Sequence, residues 1–330
     1  MQQPSNKSGK LLLTTEEELF NRVVDEKHPF RRLNEIIDFP TLIEPLRALY
    51  STLGQTGVDV EKGFKALLIQ FWEDYSDREM EKAVRENLAV RWFSGFGLME
   101  ETPDHTYFCK LRARIGTKRL ATIFTTVNQT LEARGLFGNI FTFIDASSII
   151  SKTALWEERD EAIKDGAKQL NNVNVKDYAA DSDARWGAKS KTNIWFGYKR
   201  HNAVDMRYGL IRKTAVTPAN VLDYQALDQV CPENAMIFAD KLFDCKGARL
   251  ELKAHHCHAG IIRKNNNKEK NHDLDRWLSH RRMPFEGTFS KLRKRAKFRG
   301  KAKVVFQNFF ESICHNLKKA ITILPMPQTS

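Results

Sequence analysis

The sequence predicts an α/β protein with an all-helical N-terminal part and a mixed sheet flanked by helices in the C-terminal part. Three observations predict this class. Capping signals and helical spacing of apolar residues recur as far as Gly135. From Leu136 onward, short apolar runs with strand-like alternation replace them. Acidic residues stand at the ends of two of those runs, where open α/β sheets place their ligand sites.

This change of pattern divides the chain into three predicted regions. They are a disordered tail over 1–13, a helical domain over 14–135 and a sheet-containing domain over 136–330. The hydrophobic fraction of 42% suffices for real cores in a chain of 330 residues. We therefore expect two folded domains rather than an extended or disordered protein.

Capping boxes mark the starts of the predicted N-terminal helices. Thr14 and Thr15, followed three residues later by Glu17 and Glu18, give capping-box starts for the first helix, and Ser76 with Glu79 begins a later one. Helical spacing continues in LLIQFWEDYSD and in the basic stretch YFCKLRARIGTKRLATIFTTVNQTLEARG. Interleaved cations and aromatic residues fit a helix-turn-helix reader of DNA. They fit a helical bundle used for dimerisation or docking equally well, because no turn signature decides between the two.

The C-terminal part predicts three antiparallel strands, a helix and then parallel strands. The strands are FGNIFTFIDASSII, a hairpin of NIWFGYKRHNAVD and LIRKTAVTP turning near 207–209, then AMIFADKLF and AGIIRK. The predicted helices are ANVLDYQALDQV, CKGARLELKAHH, MPFEGTFSKLRKR and the amphipathic closing helix KVVFQNFFESICHNLKKAITIL. A long polar insertion separates the first two strands. Its RWGAKSK end is a candidate contact to a DNA backbone, and a disordered hairpin is the alternative.

Three separated carboxylates are the candidate catalytic groups. Asp145 ends FTFID, Asp240 ends MIFAD, and Glu286 lies on the predicted helix MPFEGTFSKLRKR. A charge that ends a buried strand is costly unless it is paired or binds a metal ion. Carboxylate oxygens suit Mg²⁺ or Mn²⁺, and two such ions catalyse phosphodiester chemistry. Taken singly, each Asp is more often a turn residue or a helix cap.

The positive charge of the chain favours a polyanionic partner. The formal net charge is +12, and residues 261–303 hold 15 Lys and Arg against four Asp and Glu. Beside a candidate catalytic Glu, this surplus predicts a phosphate-binding surface rather than an ordinary solvated face. A membrane partner is not expected, because no apolar stretch approaches the roughly 20 residues that span a bilayer.

Cysteine usage indicates a reducing compartment. The five Cys residues are an odd number and include no CxxC pair, which argues against a disulfide framework. The start of the chain, MQQPSNKSGK, lacks the apolar segment of a secretory signal peptide. We expect a cytoplasmic protein.

A family resemblance joins these observations. Arg282-x3-Glu286-x6-Arg293 resembles the Tyr-x2-Arg-x3-Glu-x6-Lys signature of DDE transposases from bacterial insertion sequences. Upstream segments resemble the insertion-sequence-five group of that family, and the matches run in order from about Asp38 to Ala320. Two positions depart from the signature. Ser279 stands at the Tyr position, and Arg293 stands at the Lys position.

The resemblance implies an RNase H-like catalytic domain over 136–330 and a DNA-binding or dimerisation domain over 14–135. It implies cleavage at the ends of the element and transfer of the freed 3′-OH into target DNA. Asp145, Asp240 and Glu286 would hold two Mg²⁺ or Mn²⁺ ions. The expected partners are terminal inverted repeats and target DNA, bound by a homodimer on DNA in the bacterial cytoplasm. The predicted phosphate contacts are Arg282, Arg293, Lys241 and Lys294.

Two other functions remain open on the sequence alone. An RNase H-like nuclease would cleave without joining strands. A non-catalytic DNA-binding protein would keep the acids for structural reasons and would show no metal dependence.

Overall fold

The computed structural model describes residues 15–49, 57–151, 175, 179–190 and 193–325. It confirms the α/β class. A helical N-terminal layer precedes a six-stranded mixed sheet that has helices on both faces. The predicted tail over 1–13 and most of the polar insertion lie outside the described residues.

The N-terminal layer is built from helices whose starts follow the capping signals. The predicted capping boxes form at Thr15 with Glu18 and at Ser76 with Glu79, while Thr14 lies outside the described residues. The last and longest helix is interrupted at Gly116, whose φ of +67° is not helical. The helices are α1 (Glu16–Val23), α2 (Pro29–Ile36), α3 (Phe39–Leu42), α4 (Glu44–Arg47), α5 (Val60–Trp72), α6 (Asp77–Glu86), α7 (Leu88–Ser94) and α8 (His105–Ala133).

The sheet has the predicted order of antiparallel and then parallel strands. Its strands are β1 (Phe141–Ile150), β2 (Arg185–Ala188), β3 (Ile194–Asp205), β4 (Leu210–Pro218), β5 (Met236–Ala239) and β6 (His258–Ile261). The order across the sheet is β2-β3-β1-β5-β6. The strand β4 pairs with the same side of β3 as β2 does, but further along β3. The strands β1, β3 and β4 are antiparallel, whereas β5 and β6 run parallel to β1.

The remaining helices pack on the two faces of this sheet. They are the short α9 (Leu227–Val230), α10 (Lys246–Ala254), α11 (His272–Ser290) and the closing α12 (Lys301–Ile323). Leu227 and Leu252 from α9 and α10 pack with Ile144 and Ile237 on one face. The helices α11 and α12 cover the other face, where Phe143 and Phe238 point.

Four local predictions were wrong. Asp145 does not end its strand, because β3 pairs with β1 as far as Ile150. A sixth strand, β2, forms within the polar insertion. The predicted helix ANVLDYQALDQV is a 3₁₀ turn (Asp223–Ala226) followed by α9. The helix that carries Glu286 ends at Ser290, because the following segment turns and pairs with β1 at Ile150 instead.

One hydrophobic core joins the helical layer to the sheet. The helix α12 is its centre, since α12 packs against α8 and α5 as well as β4. Phe310 is fully buried and stacks on Phe71 of α5, with ring centroids 4.8 Å apart. Polar contacts bridge the same boundary, because Asn128 of α8 donates hydrogen bonds to the carbonyl groups of Ile211 and Arg212. The two predicted domains therefore share a core.

The shared core predicts cooperative unfolding. Replacing Phe310 with Ala is expected to lower the free energy of unfolding by about 3–5 kcal/mol, as large-to-small changes of buried aromatic residues do. Helical ellipticity and tryptophan fluorescence should be lost in one coincident transition in both parent and variant. Leu250→Ala, at an exposed position of α10, is the control and should change stability by less than about 0.5 kcal/mol. Two separate transitions would show that the helical layer and the sheet fold independently.

Candidate active site

The register between β1 and β5 brings Asp145 and Asp240 to the same level of the sheet. These parallel strands pair Phe143 with Phe238, which is an offset of 95 positions. Asp145 and Asp240 are separated by the same 95 positions, two residues beyond the last pair. Alternation then puts both carboxylates on the face where Phe143 and Phe238 point. Since β5 ends at Ala239 while β1 continues, the two Asp residues meet where the parallel pairing stops.

The surroundings oppose ionisation of both carboxyl groups. Burial, followed by repulsion from Asp240, raises the pKa of Asp145 to about 6, although the Ala146 N–H donates to one of its oxygens at 2.8 Å. Burial is also the main cause of a raised pKa at Asp240, which caps a short 3₁₀ turn by accepting from the Leu242 N–H. Two carboxylates that resist ionisation side by side are the electrostatic setting in which a cation binds favourably.

Arg282 supplies the positive charge that faces this pair. It lies on α11, and its guanidinium carbon is 5.5 Å from the ring centre of Phe143, the residue two places before Asp145. Its charge opposes the rise of the pKa at both Asp145 and Asp240. Its Nη2 is also 3.0 Å from Oε1 of Glu286, one turn further along the helix. Arg282 thus stands between the two aspartates and the glutamate.

Glu286 is joined to the aspartate pair through Arg282 rather than directly. Its side chain is 50% exposed. Among the residues that the structure describes, no three His, Cys, Asp or Glu side chains are placed to hold one metal ion. The structure brings Asp145, Asp240 and Arg282 together, and Glu286 remains the predicted third ligand.

Three buried polar atoms near Asp145 bear on whether the site could hold a divalent cation. Nδ2 of Asn202, Oγ of Ser147 and Nε of Arg282 are buried and have no hydrogen-bond partner within the described ranges. Asn202 is the cross-strand partner of Asp145, and Ser147 is two residues along β1 on the same face. A buried donor without a partner is costly. The two carboxylates are hard ligands that fit a divalent cation, and the unused donors beside them could hold those carboxylates in place.

Arg293 does not lie on the helix face of Glu286, which corrects the prediction that the two share a helix. It follows the end of α11, and its guanidinium forms an ion pair with Asp74 from the turn after α5. Lys297 reaches the same carboxylate, with Nζ 2.6 Å from Oδ1 of Asp74. Part of the basic tract thus ties the C-terminal part of the chain to the helical layer.

The other two predicted phosphate contacts remain exposed. Lys241 lies in the 3₁₀ turn directly after Asp240, and its charge opposes the rise in the pKa of that carboxyl group. Lys294 has an exposed side chain, while its carbonyl group accepts a hydrogen bond from the Ile150 N–H at 2.8 Å. The Lys241 side chain is accessible to a ligand at the carboxyl end of β5, and the Lys294 side chain is accessible at the carboxyl end of β1.

Other polar residues of β3 have structural roles. Asp205 is fully buried and accepts hydrogen bonds from the backbone N–H groups of Gly138 and Asn139, so it anchors the loop before β1. Lys199 pairs with Asp223 at 2.8 Å. His201 is buried against the hydroxyl group of Thr217, and burial lowers its pKa to about 4. None of the three faces the Asp145 pair.

Sequence reasoning missed Asn202 and gave Lys189 only as part of a wider segment. Asn202 gives no distinct sequence signal, because His201 and Asp205 in the same strand segment HNAVD are also polar, and only the register shows that it faces Asp145. Lys189 follows β2 at the RWGAKSK end of the insertion, and its charge opposes the rise in the pKa of Asp145.

The raised pKa of Asp145 predicts how stability depends on pH in the metal-free protein. The folded state binds this proton more tightly than the unfolded state, so stability falls as pH rises from about 4 to about 6 and is level above that. A rise from 3.8 to about 6 corresponds to about 3 kcal/mol. Asp145→Asn should therefore be more stable than the parent at pH 8, by about 2–3 kcal/mol, and equal to it near pH 4. Urea unfolding with a chelator at both pH values measures this, and an advantage independent of pH would contradict it.

Two family models match the chain. Residues 140–317 match the family described as "Transposase DDE domain". Residues 18–114 match "Transposase domain (DUF772)". The first match spans more than half of the chain and includes Asp145, Asp240 and Glu286. No helix in the described part of the chain has both the length and the apolar character that crossing a bilayer requires.

A curated relative is also named as a transposase. The chain is 29% identical over 223 residues to a transposase for insertion sequence element IS1106 from Neisseria meningitidis serogroup B, covering 64% of this chain and 76% of that protein. A Mos1 transposase paired-end complex with the left transposon end covers 94% of this chain and 93% of its own. Its identity of 7% and TM-score of 0.20 are too low to support an argument. The family match, together with the RNase H-like order of strands and the paired aspartates at adjacent strands, shows that the chain belongs to the DDE transposases of bacterial insertion sequences.

Proposed function

We propose that this transposase uses Asp145, Asp240 and Glu286 to cut DNA at the ends of its element and to join the freed 3′-OH to target DNA. The register that aligns Asp145 with Asp240 is the observation that carries the proposal. Membership in the family implies dependence on a divalent metal, and two Mg²⁺ or Mn²⁺ ions are proposed here. Such ions activate an attacking oxygen and stabilise a leaving oxygen.

The residues of the chain have separate tasks in this scheme. Asp145 and Asp240 offer two carboxylates whose mutual repulsion is relieved when positive charge arrives. Arg282 holds Glu286 beside them and neutralises the site until then. With metal ions bound, Glu286 would complete the set of carboxylate ligands with Asp145 and Asp240 and would no longer be paired with Arg282. The released guanidinium then steadies the scissile phosphate, for which its planar array of donors is suited.

The DNA is proposed to pass over the end of the sheet where β1 and β5 finish. Lys241 follows Asp240 directly, and Lys294 and Arg295 are exposed beside the end of β1. The helical layer, with its cations stacked on aromatic rings, as with Arg31 on Trp92, is proposed to bind the terminal inverted repeats. The proposed assembly is a homodimer on DNA. Assignment to the insertion-sequence-five group stays a prediction.

The aspartate pair favours a catalytic over a purely DNA-binding role. A DNA-binding protein without catalysis has no need of two adjacent carboxylates whose pKa values are raised. A nuclease that cleaves without strand transfer shares the same site. A joining assay with labelled element ends, with and without Mg²⁺, separates it from a transposase.

Removing the charge of any one acid should abolish cleavage. Asp145→Asn, Asp240→Asn and Glu286→Gln are each expected to lower the cleavage rate by at least about 1,000-fold, since electrostatic stabilisation at the reacting phosphate is lost. Binding to element-end DNA should stay close to that of the parent. Gel-based cleavage under single-turnover conditions and a parallel binding titration measure the two quantities.

Glu269→Gln is the matched control for these variants. Glu269 is an exposed acid with a side chain 79% accessible, in the loop before α11. Its replacement should leave cleavage within about twofold, because surface changes away from such sites are nearly neutral. Near-normal strand transfer by any one of the three site variants would remove that residue from the metal site.

The exposed part of the basic tract should bind DNA through phosphates. Lys294→Ala together with Arg295→Ala is expected to reduce the magnitude of the log–log salt slope of binding by about 1.8, since each phosphate contact contributes about 0.9. Arg293→Ala should instead destabilise the fold, because this side chain is held by Asp74. Lys253→Ala, at an exposed position of α10 on the other face of the sheet, is the control.

A salt series of binding titrations measures these slopes for each variant. The double variant should weaken binding to element ends and to unrelated DNA alike. An unchanged slope in the folded double variant would assign Lys294 and Arg295 to an ordinary solvated surface.

A further inference from the structure

We propose that Asn202 is a positioning residue of the metal site, whose amide Nδ2 donates a hydrogen bond to the Asp145 carboxylate when that carboxylate binds a cation. The proposal rests on the proposed function, because it presumes that Asp145 is a metal ligand. It concerns a residue that lies outside the three acids and outside the basic tract.

Position is the first support. Asn202 and Asp145 are direct partners in the antiparallel pairing of β3 with β1. Such partners lie on the same face of the sheet with Cβ atoms about 4.5–5.5 Å apart. Asn202 has no accessible surface, so solvent does not satisfy its amide group.

A directional chain of hydrogen bonds sets the orientation of the Asn202 amide. It begins at Arg200, which can only donate and does so to Oδ1 of Asn308 at 2.5 Å. The amide nitrogen of Asn308 then donates to the Thr214 hydroxyl oxygen at 2.7 Å. The Thr214 hydroxyl group therefore gives its own proton to Oδ1 of Asn202, at 2.6 Å. The oxygen of Asn202 is thereby engaged, and its NH₂ group is the free end.

The free end is the second support. Within the described residues, Nδ2 of Asn202 has no hydrogen-bond acceptor, whereas the rest of the chain from Arg200 is bonded. Leaving a buried donor unsatisfied costs about 1–3 kcal/mol. The carboxylate that shares its register and its face is Asp145. A nitrogen donor does not ligate a cation, so the amide acts on the ligand and not on the ion.

A hydrogen bond from Asn202 would hold one oxygen of the Asp145 carboxylate and leave the other oxygen to bind the ion. Hydrogen bonds to ligating carboxylates orient them, and loss of such partners weakens metal affinity by about 10–100-fold. The chain of hydrogen bonds behind Asn202 passes through Thr214 and Asn308 to the buried ion pair of Arg200 with Glu311, so residues of α12 hold it in place.

Direct binding of Mn²⁺ to the full-length, DNA-free protein tests the proposal. Electron paramagnetic resonance of free Mn²⁺ gives the affinity without any need for activity. Asn202→Ala is expected to weaken Mn²⁺ binding by about tenfold. Asn316→Ala is the matched control, because Asn316 is an equally buried Asn whose amide atoms are all bonded, to Asn128 and to Ile211. It should keep Mn²⁺ affinity within about twofold.

A second variant keeps the test decisive if Asn202→Ala does not fold. Thr214→Val preserves shape but removes the donor that fixes the Asn202 amide, and it should weaken Mn²⁺ binding in the same direction. Parent-like affinity in a folded Asn202→Ala, or in Thr214→Val when the former is unfolded, would overturn the proposal. Equal losses in Asn202→Ala and Asn316→Ala would also overturn it, since they would reflect stability alone.

Failure of the proposed function gives a different result. If the parent binds no Mn²⁺, or if Asp145→Asn binds it as tightly as the parent, then the metal site itself is misassigned. Only when Asp145→Asn loses affinity and Asn202→Ala does not is the positioning role alone rejected.

Discussion

The candidate site depends on two carboxylates being held side by side at a place where neither ionises easily. The parallel pairing of β1 with β5 sets this arrangement, since Asp145 and Asp240 continue the register of Phe143 and Phe238. Burial and mutual repulsion raise the pKa of Asp145. Arg282 from α11 offsets part of this cost, and Glu286 is held by the same guanidinium. The position of Arg282 on α11 therefore depends on the charges of Asp145 and Asp240 at the ends of the paired segments of β1 and β5.

The helix α12 connects this site to the rest of the molecule. On one side Phe310 stacks on Phe71 of the helical layer, and on the other Glu311 forms a buried ion pair with Arg200 of β3. A buried pair of this kind adds little net stability, but leaving one charge without its partner is costly. Further from the core, Asp74 pairs with Arg293 and Lys297. The helical layer and the catalytic sheet are therefore held in one arrangement by both apolar and charged contacts.

Patterns among neighbouring residues predicted most helices and strands and the candidate catalytic acids. Contacts that depend on strand pairing could not be predicted in this way. Capping boxes form at Thr15 and Ser76 because a cap is a contact between near neighbours. Asp240 ends its strand as MIFAD predicts. Arg293 was placed on a helix because SKLRKR has good helix formers and no stop signal, whereas pairing with β1 at Ile150 overrides that preference. The role proposed for Asn202 depends on a cross-strand register that no local pattern encodes.

Each aspartate follows its paired phenylalanine by two residues, which makes the site sensitive to the loss or gain of a single residue within β1 or β5. Side chains in a strand alternate between faces, so loss of one residue from the middle of β1 would turn Asp145 toward the face of α9 and α10. Every acid would still be present in the translated sequence, yet the pair would be broken. A copy of the element with a single-codon deletion in β1 before Asp145 would encode a protein that lacks the paired carboxylates. Substitutions on the exposed surface of α10 would leave the register, and with it the pair, unchanged.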